Sequence, residues 1–165
     1  HDVSIYFIIQ SVISSIDLIN SQIEELDKKI EELAITQASS ITSIPGISII
    51  TGTSILAELG DISKYSNAGK VIKFAGVNPY ISESGKFSAD KTAITKKGSK
   101  YLRTTLYRVI IPVIRHNPAF NNYYHLKRNQ GKGHLCALGH CVRKLLRIIY
   151  HLETNNLSFD INSLK

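Results

Sequence analysis

Apolar residues recur at alternating intervals of four and three along the first part of the chain. Nine positions follow this spacing without a miss: Ile5, Ile9, Val12, Ile16, Ile19, Ile23, Leu26, Ile30 and Leu33. A 3.5-residue repeat places them on one stripe of an α-helix, and over about four heptads it is the signature of a coiled coil. A single long helix packed on its own domain is the alternative. The mixture of Ile, Val and Leu leaves the strand number open, so this arm is an oligomerisation element or the stem of a helical hairpin.

Charge is divided unevenly between the two parts of the chain. Residues 1–60 contain 2 lysines and 8 acidic residues, a net charge of −6. Residues 61–165 contain 18 basic and 5 acidic residues, a net charge of +13. A segment of about a hundred residues with this charge has a strong field for polyanions. Contact with nucleic acid is therefore favoured over a merely solvated basic surface.

The pattern elsewhere predicts a mainly α fold, because no alternating strand pattern of useful length occurs. We expect a coiled-coil arm over residues 1–40, a compact multi-helix domain over 41–155 and a frayed polar tail over 156–165. Helices are predicted around 68–75, from a Ser99 cap through a kink at Pro112, over 118–129 behind the Asn117-Pro118 pair, and over 134–153.

Composition also limits the cellular setting. The longest unbroken apolar run is residues 5–9, far short of the roughly 20 residues that cross a bilayer, and no signal-peptide pattern is present. Two cysteines five residues apart on a predicted helix face different ways, which disfavours a disulfide. We therefore expect a reducing, cytoplasmic compartment and no membrane partner. The chain begins with His1 and contains no Met, so we expect a fragment of a longer protein.

The stretch "IPGIS" lies between two short predicted helices and resembles the turn of a helix-hairpin-helix element. Such a turn exposes backbone N–H groups that can bind a phosphate, which makes Gly46 and Ser48 candidate contacts. The usual pattern has a second glycine where this chain has Ser48. An ordinary packing joint between helices is the alternative.

The stretch "ISESGKFSADKTAITKKGSKYLR" combines serines with a ramp of cations. Phosphoryl transfer needs a nucleophile in line with phosphorus and cations that neutralise the developing charge. Ser84 precedes Gly85, where a substrate can approach closely, but no general base is evident. Local chemistry alone therefore favours a phosphate-binding loop over a nucleophile. The candidate cations are Lys86, Lys96, Lys97, Lys100 and Arg103.

The final predicted helix offers a second cationic feature and a weak metal pattern. Arg143, Lys144 and Arg147 lie on one face and are candidate phosphate contacts, with His140 and His151 on the same stripe. The cluster "HLCALGHC" brings four potential ligands together, yet on one helix they point in several directions. Scattered carboxylates in the basic part likewise disfavour a two-metal site. We expect no metal site in this chain.

The order of motifs over residues 41–153 resembles the C-terminal transposase domain of the IS-one-ten type of insertion-sequence transposases. These are bridge-RNA-guided recombinases related to the Piv-type DNA invertases. The motifs are the Pro-Gly turn, Ala-Gly-x-x-Pro, Ser-Gly, Ile-x-Lys-x-Gly-x-x-x-Leu-Arg and Arg-Lys-Leu-Leu. The family also has a coiled coil just after its catalytic N-terminal domain, where this chain has its apolar seam.

The resemblance implies that Ser84 attacks DNA and forms a covalent phosphoserine link, with Ser82 as the alternative nucleophile. It implies that Lys96 and Arg103 bind the scissile or a neighbouring phosphate, with Gly98 in the same motif. A RuvC-like half with acidic ligands for Mg²⁺ would precede this chain, which needs no cofactor of its own and alone would lack the metal-assisted step. DNA is the expected partner, a guide RNA is allowed, and the coiled coil would make a dimer or tetramer in a prokaryotic, nucleoid-associated setting.

Two other functions remain open from the sequence. One is a non-catalytic helix-hairpin-helix module that binds nucleic acid and oligomerises through the arm. The other is a pure assembly domain whose coiled coil is its function. Loss of recombination with retained DNA binding in a Ser84→Ala protein would distinguish the transposase from both.

Overall fold

The computed structural model describes residues 2–36, 40–79, 83–84, 87–88 and 94–161, with side chains for 3–33, 40–79 and 94–161. The chain divides into two compact units, His1–Ala38 and Ser39–Lys165. Both are dominated by helices, which confirms the predicted mainly α class.

The first unit consists of one helix, α1, over Asp2–Thr36. The predicted 3.5-residue seam therefore lies on a continuous helix, as its spacing requires. Most seam side chains are about half exposed, for example Ile16 at 51% and Ile23 at 50%. The apolar seam is therefore exposed enough to contact another helix, and coiled-coil pairing stays a prediction.

The segment Val3–Leu33 of α1 is also long and apolar enough to cross a membrane, judged by length and composition alone. Polar residues interrupt this segment, so the lengths of unbroken apolar runs do not reveal it. Such a helix near an N-terminus is weak support for a membrane span, because other kinds of helix pass the same test.

The second unit contains five α-helices, two 3-10 helices and a pair of two-residue strands among its described residues. In chain order they are a 3-10 helix Ser40–Ser43, α2 Ile49–Leu59, a 3-10 helix Ile62–Lys64, α3 Ala68–Phe74, β1 Glu83–Ser84, β2 Phe87–Ser88, α4 Lys100–His116, α5 Pro118–Asn129 and α6 His134–Asn155. Strands β1 and β2 are antiparallel, and Ser84 pairs with Phe87.

Side-chain caps explain where several helices begin. Ser48, Asn67, Ser99 and Asn117 each accept a hydrogen bond from a backbone N–H in the first turn of the helix that follows. Such caps satisfy N–H groups that have no partner inside the helix. The Ser99 and Asn117 caps and the α5 boundaries were predicted from sequence and are confirmed. Helix α6 ends two residues later than predicted.

The core lies where α6 packs against α3, α4 and α5, with α2 packed on α4. Burying these apolar side chains is the main source of stability for a unit of this size. The largest fully buried side chains are Phe120, Ile41, Ile44, Ile55, Leu102, Leu106, Ile110, Leu145, Leu146, Ile149, Val71 and Val77.

The "IPGIS" turn differs from a helix-hairpin-helix element. The segment before it is a four-residue 3-10 helix, so the predicted pair of α-helices is not confirmed. Gly46 has a φ of 95°, and a Cβ there would lie 2.7 Å from the backbone of Pro112 in α4. Glycine is thus required for close packing of the turn on α4.

The described part of the polar tail, residues 156–161, contacts the rest of the domain. Asn156 takes a left-handed conformation that ends α6, and the Phe159 N–H donates to Ser43 Oγ at 2.7 Å. Phe159 also packs against the core. These contacts hold Phe159 against the domain, while the expectation that residues 156–165 fray stays a prediction.

Candidate phosphate-binding pocket

A cavity of about 860 Å³ opens between α4 and α6, beside the chain segments that flank residues 80–93. Pro79 and Ile94 form an antiparallel bridge at its edge, so the segment that contains Ser84 begins and ends there. The cavity is lined by Pro79, Ile94, Arg103, Thr104, Tyr107, Arg108, Lys132, Leu135, Cys136, Gly139, His140 and Arg143. We call it the arginine pocket.

Two half-buried arginines, Arg103 of α4 and Arg143 of α6, line this pocket together. Nη1 of Arg103 donates to the carbonyls of Ala75 at 3.3 Å and Lys96 at 3.4 Å. Nη1 of Arg143 donates to the Val77 carbonyl at 3.3 Å. These bonds fix the position of each guanidinium through one nitrogen, and a guanidinium has five N–H donors. The remaining donors suit a phosphate, which arginine binds in bidentate fashion.

Further cationic and polar groups surround the two arginines. Arg108 and Lys132 are exposed members of the lining, and no carboxylate belongs to it among the described residues. Burial raises the pKa of Tyr107, so this hydroxyl stays protonated and can donate a hydrogen bond. The three arginines and Lys132 make the lining cationic.

His140 lines the pocket without adding to its charge at neutral pH. Burial lowers the pKa of His140, and the nearby Arg143, Lys127 and Lys132 lower it further. Both effects disfavour the protonated imidazole. A bound anion would oppose them, because a negative charge stabilises the protonated form.

The turn over residues 95–98, next to the pocket, is hydrogen-bonded to the end of α3. The Lys96 N–H donates to the Gly76 carbonyl at 3.0 Å, while the Ser99 N–H donates to the Phe74 carbonyl at 2.8 Å. Lys96 itself has a φ of 54°. The spacing of Lys96, Gly98 and Arg103 in the sequence motif is thus explained by one structural unit in which Arg103 closes the turn.

Gly98 is required for this arrangement by its conformation and its surroundings. Its φ is 150°, and a Cβ there would collide with the Phe74 carbonyl oxygen and lie 2.8 Å from the Gly76 nitrogen. Gly98 therefore permits close approach of the turn to α3. A structural role accounts for this glycine without a phosphate.

The other predicted phosphate contacts are dispersed. Gly46 and Ser48 line a separate depression that reaches Arg108, and the Ser48 side chain accepts from the Thr51 N–H at 3.2 Å. Lys97 lines a different groove, and Lys100 is exposed on the first turn of α4. The structure thus does not place these residues with Arg103 and Arg143.

The stripe predicted on α6 is also divided. Nζ of Lys144 lies over the Tyr123 ring, 4.7 Å from its centroid, and 5.8 Å from the centroid of the Phe120 ring. Lys144 therefore makes cation–π contacts with side chains of α5. Arg147 is exposed on α6, outside the pocket lining. Of the three basic residues Arg143, Lys144 and Arg147, only Arg143 lines the pocket with Arg103, and His140 of the same stripe lines it as well.

The serine motif is described only in part. Ser84 lies in β1, and its side chain is outside the described residues, as are Ser82, Gly85 and Lys86. The predicted nucleophile and its alternative therefore stay predictions. Among the described residues, no three His, Cys, Asp or Glu side chains form a group that could hold a metal ion.

Sequence reasoning missed Tyr107, Arg108 and Lys132 as pocket residues. Arg108 lies five residues after Arg103, and Lys132 lies in the loop before α6. The sequence signal that was available is the presence of basic residues on α4 and just before α6. In the folded domain Gly139 faces Tyr107, whose hydroxyl would lie 3.1 Å from an added Cβ. Only the packing of the two helices brings these residues together.

Comparison with known proteins places the chain among the transposases. A family model described as the transposase IS116/IS110/IS902 family matches residues 38–125. This match covers more than half of the 165 residues, and the chain belongs to that family.

Individual relatives include proteins of insertion elements and a gene-inverting protein. The chain is 25% identical over 155 residues to the insertion element IS110 uncharacterized 43.6 kDa protein of Streptomyces coelicolor, covering 93% of the chain and 38% of the relative. It is 28% identical over 135 residues to the insertion element IS900 uncharacterized 42 kDa protein of Mycobacterium paratuberculosis, with coverages of 80% and 34%. It is 32% identical over 126 residues to the pilin gene-inverting protein of Moraxella bovis, with coverages of 75% and 39%. The chain spans less than two fifths of the length of these relatives.

Proposed function

We propose that this chain is the DNA-binding and serine-bearing part of a transposase that recombines DNA in a prokaryotic cytoplasm. Family membership and the pilin gene-inverting relative support rearrangement of DNA as the activity. The observation that carries the proposal is the convergence of Arg103 and Arg143 in one pocket, beside the Pro79–Ile94 bridge that flanks the segment containing Ser84.

The proposed reaction is a phosphoryl transfer to Ser84. Its Oγ attacks a DNA phosphorus, the new Oγ–P bond forms and the bond from phosphorus to one bridging oxygen of the strand breaks. The serine proton is removed, and the departing oxygen takes up a proton to become a free strand hydroxyl. A later attack by a strand hydroxyl reverses the transfer and releases serine. Because phosphoester bonds are exchanged without loss, no nucleotide cofactor is needed.

Arg103 and Arg143 are proposed to bind the phosphate that is attacked or its neighbour. Charge accumulates on the non-bridging oxygens during transfer, and preorganised guanidinium groups stabilise it. Their anchoring to the carbonyls of Ala75, Lys96 and Val77 fixes them before the substrate arrives. Lys96 is proposed to add a cation beside them.

Three further parts of the proposal follow from the family resemblance. A RuvC-like half joined to this chain would hold Mg²⁺ on acidic residues, and this chain alone would lack the metal-assisted step. Helix α1 would pair with other copies of itself into a dimer or tetramer. A guide RNA is a further partner that the family allows.

The test of the serine proposal compares Ser84→Ala with Ser82→Ala in a protein that joins this chain to its RuvC-like half. We expect Ser84→Ala to retain DNA affinity and lose recombination, while Ser82→Ala remains active. Recombination by Ser84→Ala would contradict the proposal, and loss with Ser82→Ala alone would move the role to Ser82. A DNA-binding protein with no recombination before mutation would favour the non-catalytic binding module.

The arginine pocket is tested by a matched pair on the same helix. Arg143→Gln should weaken DNA binding about tenfold, as expected for a lost charge-assisted contact. Arg147→Gln removes the same charge one turn later, outside the pocket, and should weaken it less. Equal losses in fluorescence-anisotropy titrations would show that the charge alone matters and would contradict a specific pocket.

A further inference from the structure

A second cationic surface lies beside α3, and we call it the lysine groove. It has a volume of about 530 Å³ and draws on three parts of the chain. All four of its lysines are exposed, and its lining contains no carboxylate among the described residues. The lining residues are Lys64, Tyr65, Ser66, Lys70, Lys73, Phe74, Lys97 and Gly98.

One acidic neighbour of this groove, Asp61, interacts with Lys64. The Lys64 charge contributes to lowering the pKa of Asp61, although hydrogen bonds from Ser63 are the larger cause. Within the part of the chain that the structure describes, the one ion pair joins Lys29 to Glu25 in α1. Four exposed lysines, none of them in an ion pair among the described residues, form a favourable surface for phosphates.

The groove also contains a supported aromatic pair. The Tyr65 and Phe74 rings meet edge to face, with their centroids 5.7 Å apart. The Tyr65 hydroxyl donates to the Leu59 carbonyl at 3.0 Å, and the Tyr65 carbonyl accepts from the Tyr150 hydroxyl at 3.1 Å. These bonds hold Tyr65 in place, whereas Phe74 remains 37% exposed. An exposed aromatic ring on a fixed partner offers a surface on which a planar base can stack.

The lysine groove and the arginine pocket adjoin the same turn. The carbonyl of Phe74, a groove residue, accepts from the Ser99 N–H, and the next carbonyl, that of Ala75, accepts from Arg103. Lys97 and Gly98 line the groove, while the Lys96 carbonyl accepts from Arg103. A flexible polyanion that occupies one site is therefore brought close to the other.

We propose that the lysine groove binds single-stranded nucleic acid, with phosphates on Lys64, Lys70, Lys73 and Lys97 and a base stacked on Phe74. Alternating cations and aromatic rings are the usual means by which proteins bind single strands without sequence preference. A duplex keeps its bases stacked inside and cannot place one on Phe74. The inference does not require Ser84 to be a nucleophile.

The first test measures the salt dependence of binding by this chain. Labelled (dT)₁₂ and (rU)₁₂ are titrated by fluorescence anisotropy against Lys70→Gln/Lys73→Gln and against Lys28→Gln/Arg115→Gln, a control pair with the same change of net charge. We expect the groove pair to weaken binding about tenfold and to reduce the slope of log K against log salt by about 1.4, or about 0.7 per lost contact. The control pair should leave the slope nearly unchanged. Equal slopes for the two pairs would overturn the proposal.

The second test reports on stacking, because the chain contains no tryptophan. Phe74→Trp places one fluorophore in the groove, and Leu126→Trp places one on α5, where Leu126 is 50% exposed. The oligonucleotides should quench only the groove tryptophan, and a duplex of the same length should quench it less. Quenching of both tryptophans alike, or equal quenching by duplex and single strand, would overturn the proposal.

The relative affinities of (dT)₁₂ and (rU)₁₂ identify whether the groove prefers DNA or RNA, and binding of either strand supports the proposal where the groove pair of substitutions weakens it. Ser84→Ala should change neither the slope nor the quenching. Failure of the serine proposal and failure of the groove proposal are therefore distinguishable.

Discussion

Arg103 combines a structural and a binding role in one side chain. Its Nη1 reaches carbonyls at the end of α3 and in the 95–98 turn, which fixes the geometry of both. The rest of the guanidinium lies in the arginine pocket with Arg143. A lysine at position 103 would supply charge but not the planar fork, so the motif requires arginine.

Replacement of Gly98 should destabilise the domain. Gly98→Ala adds a Cβ that collides with Phe74 and forces alanine into a φ that side chains rarely adopt. We expect a loss of about 2–3 kcal/mol in urea unfolding. Gly133→Ala is the control, since open space surrounds a Cβ there. Because Gly133 caps α6 and alanine is a poorer cap, it should lower stability by about 1 kcal/mol or less. Similar losses for both would contradict the proposed close approach.

The two cysteines should react very differently with iodoacetamide at pH 8. Burial raises the pKa of Cys141 to about 11, whereas Cys136 is exposed and lines the arginine pocket. Alkylation should therefore modify Cys136 and spare Cys141, as peptide mass spectrometry can determine. Saturating DNA should slow the reaction of Cys136 several-fold if phosphates occupy the pocket. An unchanged rate would place the bound DNA elsewhere.

His140 should couple nucleic-acid binding to protons. Its folded-state pKa lies below the ordinary value near 6.5, so at lower pH the unfolded chain binds more protons than the folded chain. The contribution of His140 to folding stability is therefore present above pH 6.5. That contribution falls as the pH drops through the lowered pKa. A phosphate in the pocket would raise this pKa again, so affinity should increase as the pH falls below about 6.5. His140→Gln should flatten that increase in anisotropy titrations. An identical pH dependence in both proteins would exclude His140 as its source.

At the scale of elements, helix boundaries were predictable where a single residue determines them. Ser99 begins α4 because its hydroxyl accepts from the Leu102 N–H, and Asn117 with Pro118 separates α4 from α5. These are local effects of side-chain chemistry on adjacent N–H groups. The helix before Pro45-Gly46 was not predictable in this way, since its length depends on packing against α6, whose Glu153 accepts from the Ile41 N–H.

The arginine pocket illustrates what local patterns omit. Arg103 and Arg143 are forty residues apart, and each was identified from a separate motif. That they share one cavity follows only from the packing of α4 on α6. Lys144, one residue after Arg143, turns instead onto aromatic rings of α5, a difference that a list of basic residues does not contain.

The seam of α1 predicts self-association that a few substitutions should abolish. Ile16 and Ile23 occupy equivalent heptad positions and are half exposed in the single chain. Ile16→Asp/Ile23→Asp should convert a dimer or tetramer to a monomer in sedimentation velocity, because charges would be buried in the seam. Ser14→Asp lies off the seam and should preserve the assembly. A monomeric unmodified chain at high micromolar concentration would contradict the coiled-coil proposal.

On the scale of the whole molecule, the sequence predicted a helical arm and a basic helical domain, and both are present. The charge division predicted contact with a polyanion, and the structure separates the basic residues into an arginine pocket and a lysine groove. A total charge cannot specify that separation. The proposed nucleophile, in contrast, was inferred from motif order and stays a prediction.

Mapping of the covalent protein–DNA adduct tests the central claim most directly. The protein joined to its RuvC-like half is reacted with DNA, denatured, and digested with nuclease and trypsin, which releases residues 74–86 between Lys73 and Lys86. Fragmentation of this peptide distinguishes Ser82 from Ser84. The account predicts a nucleotide phosphate on Ser84 that disappears in Ser84→Ala. Recombination proceeding through an adduct on a residue outside this peptide, or with the same adduct yield in Ser84→Ala, would contradict it.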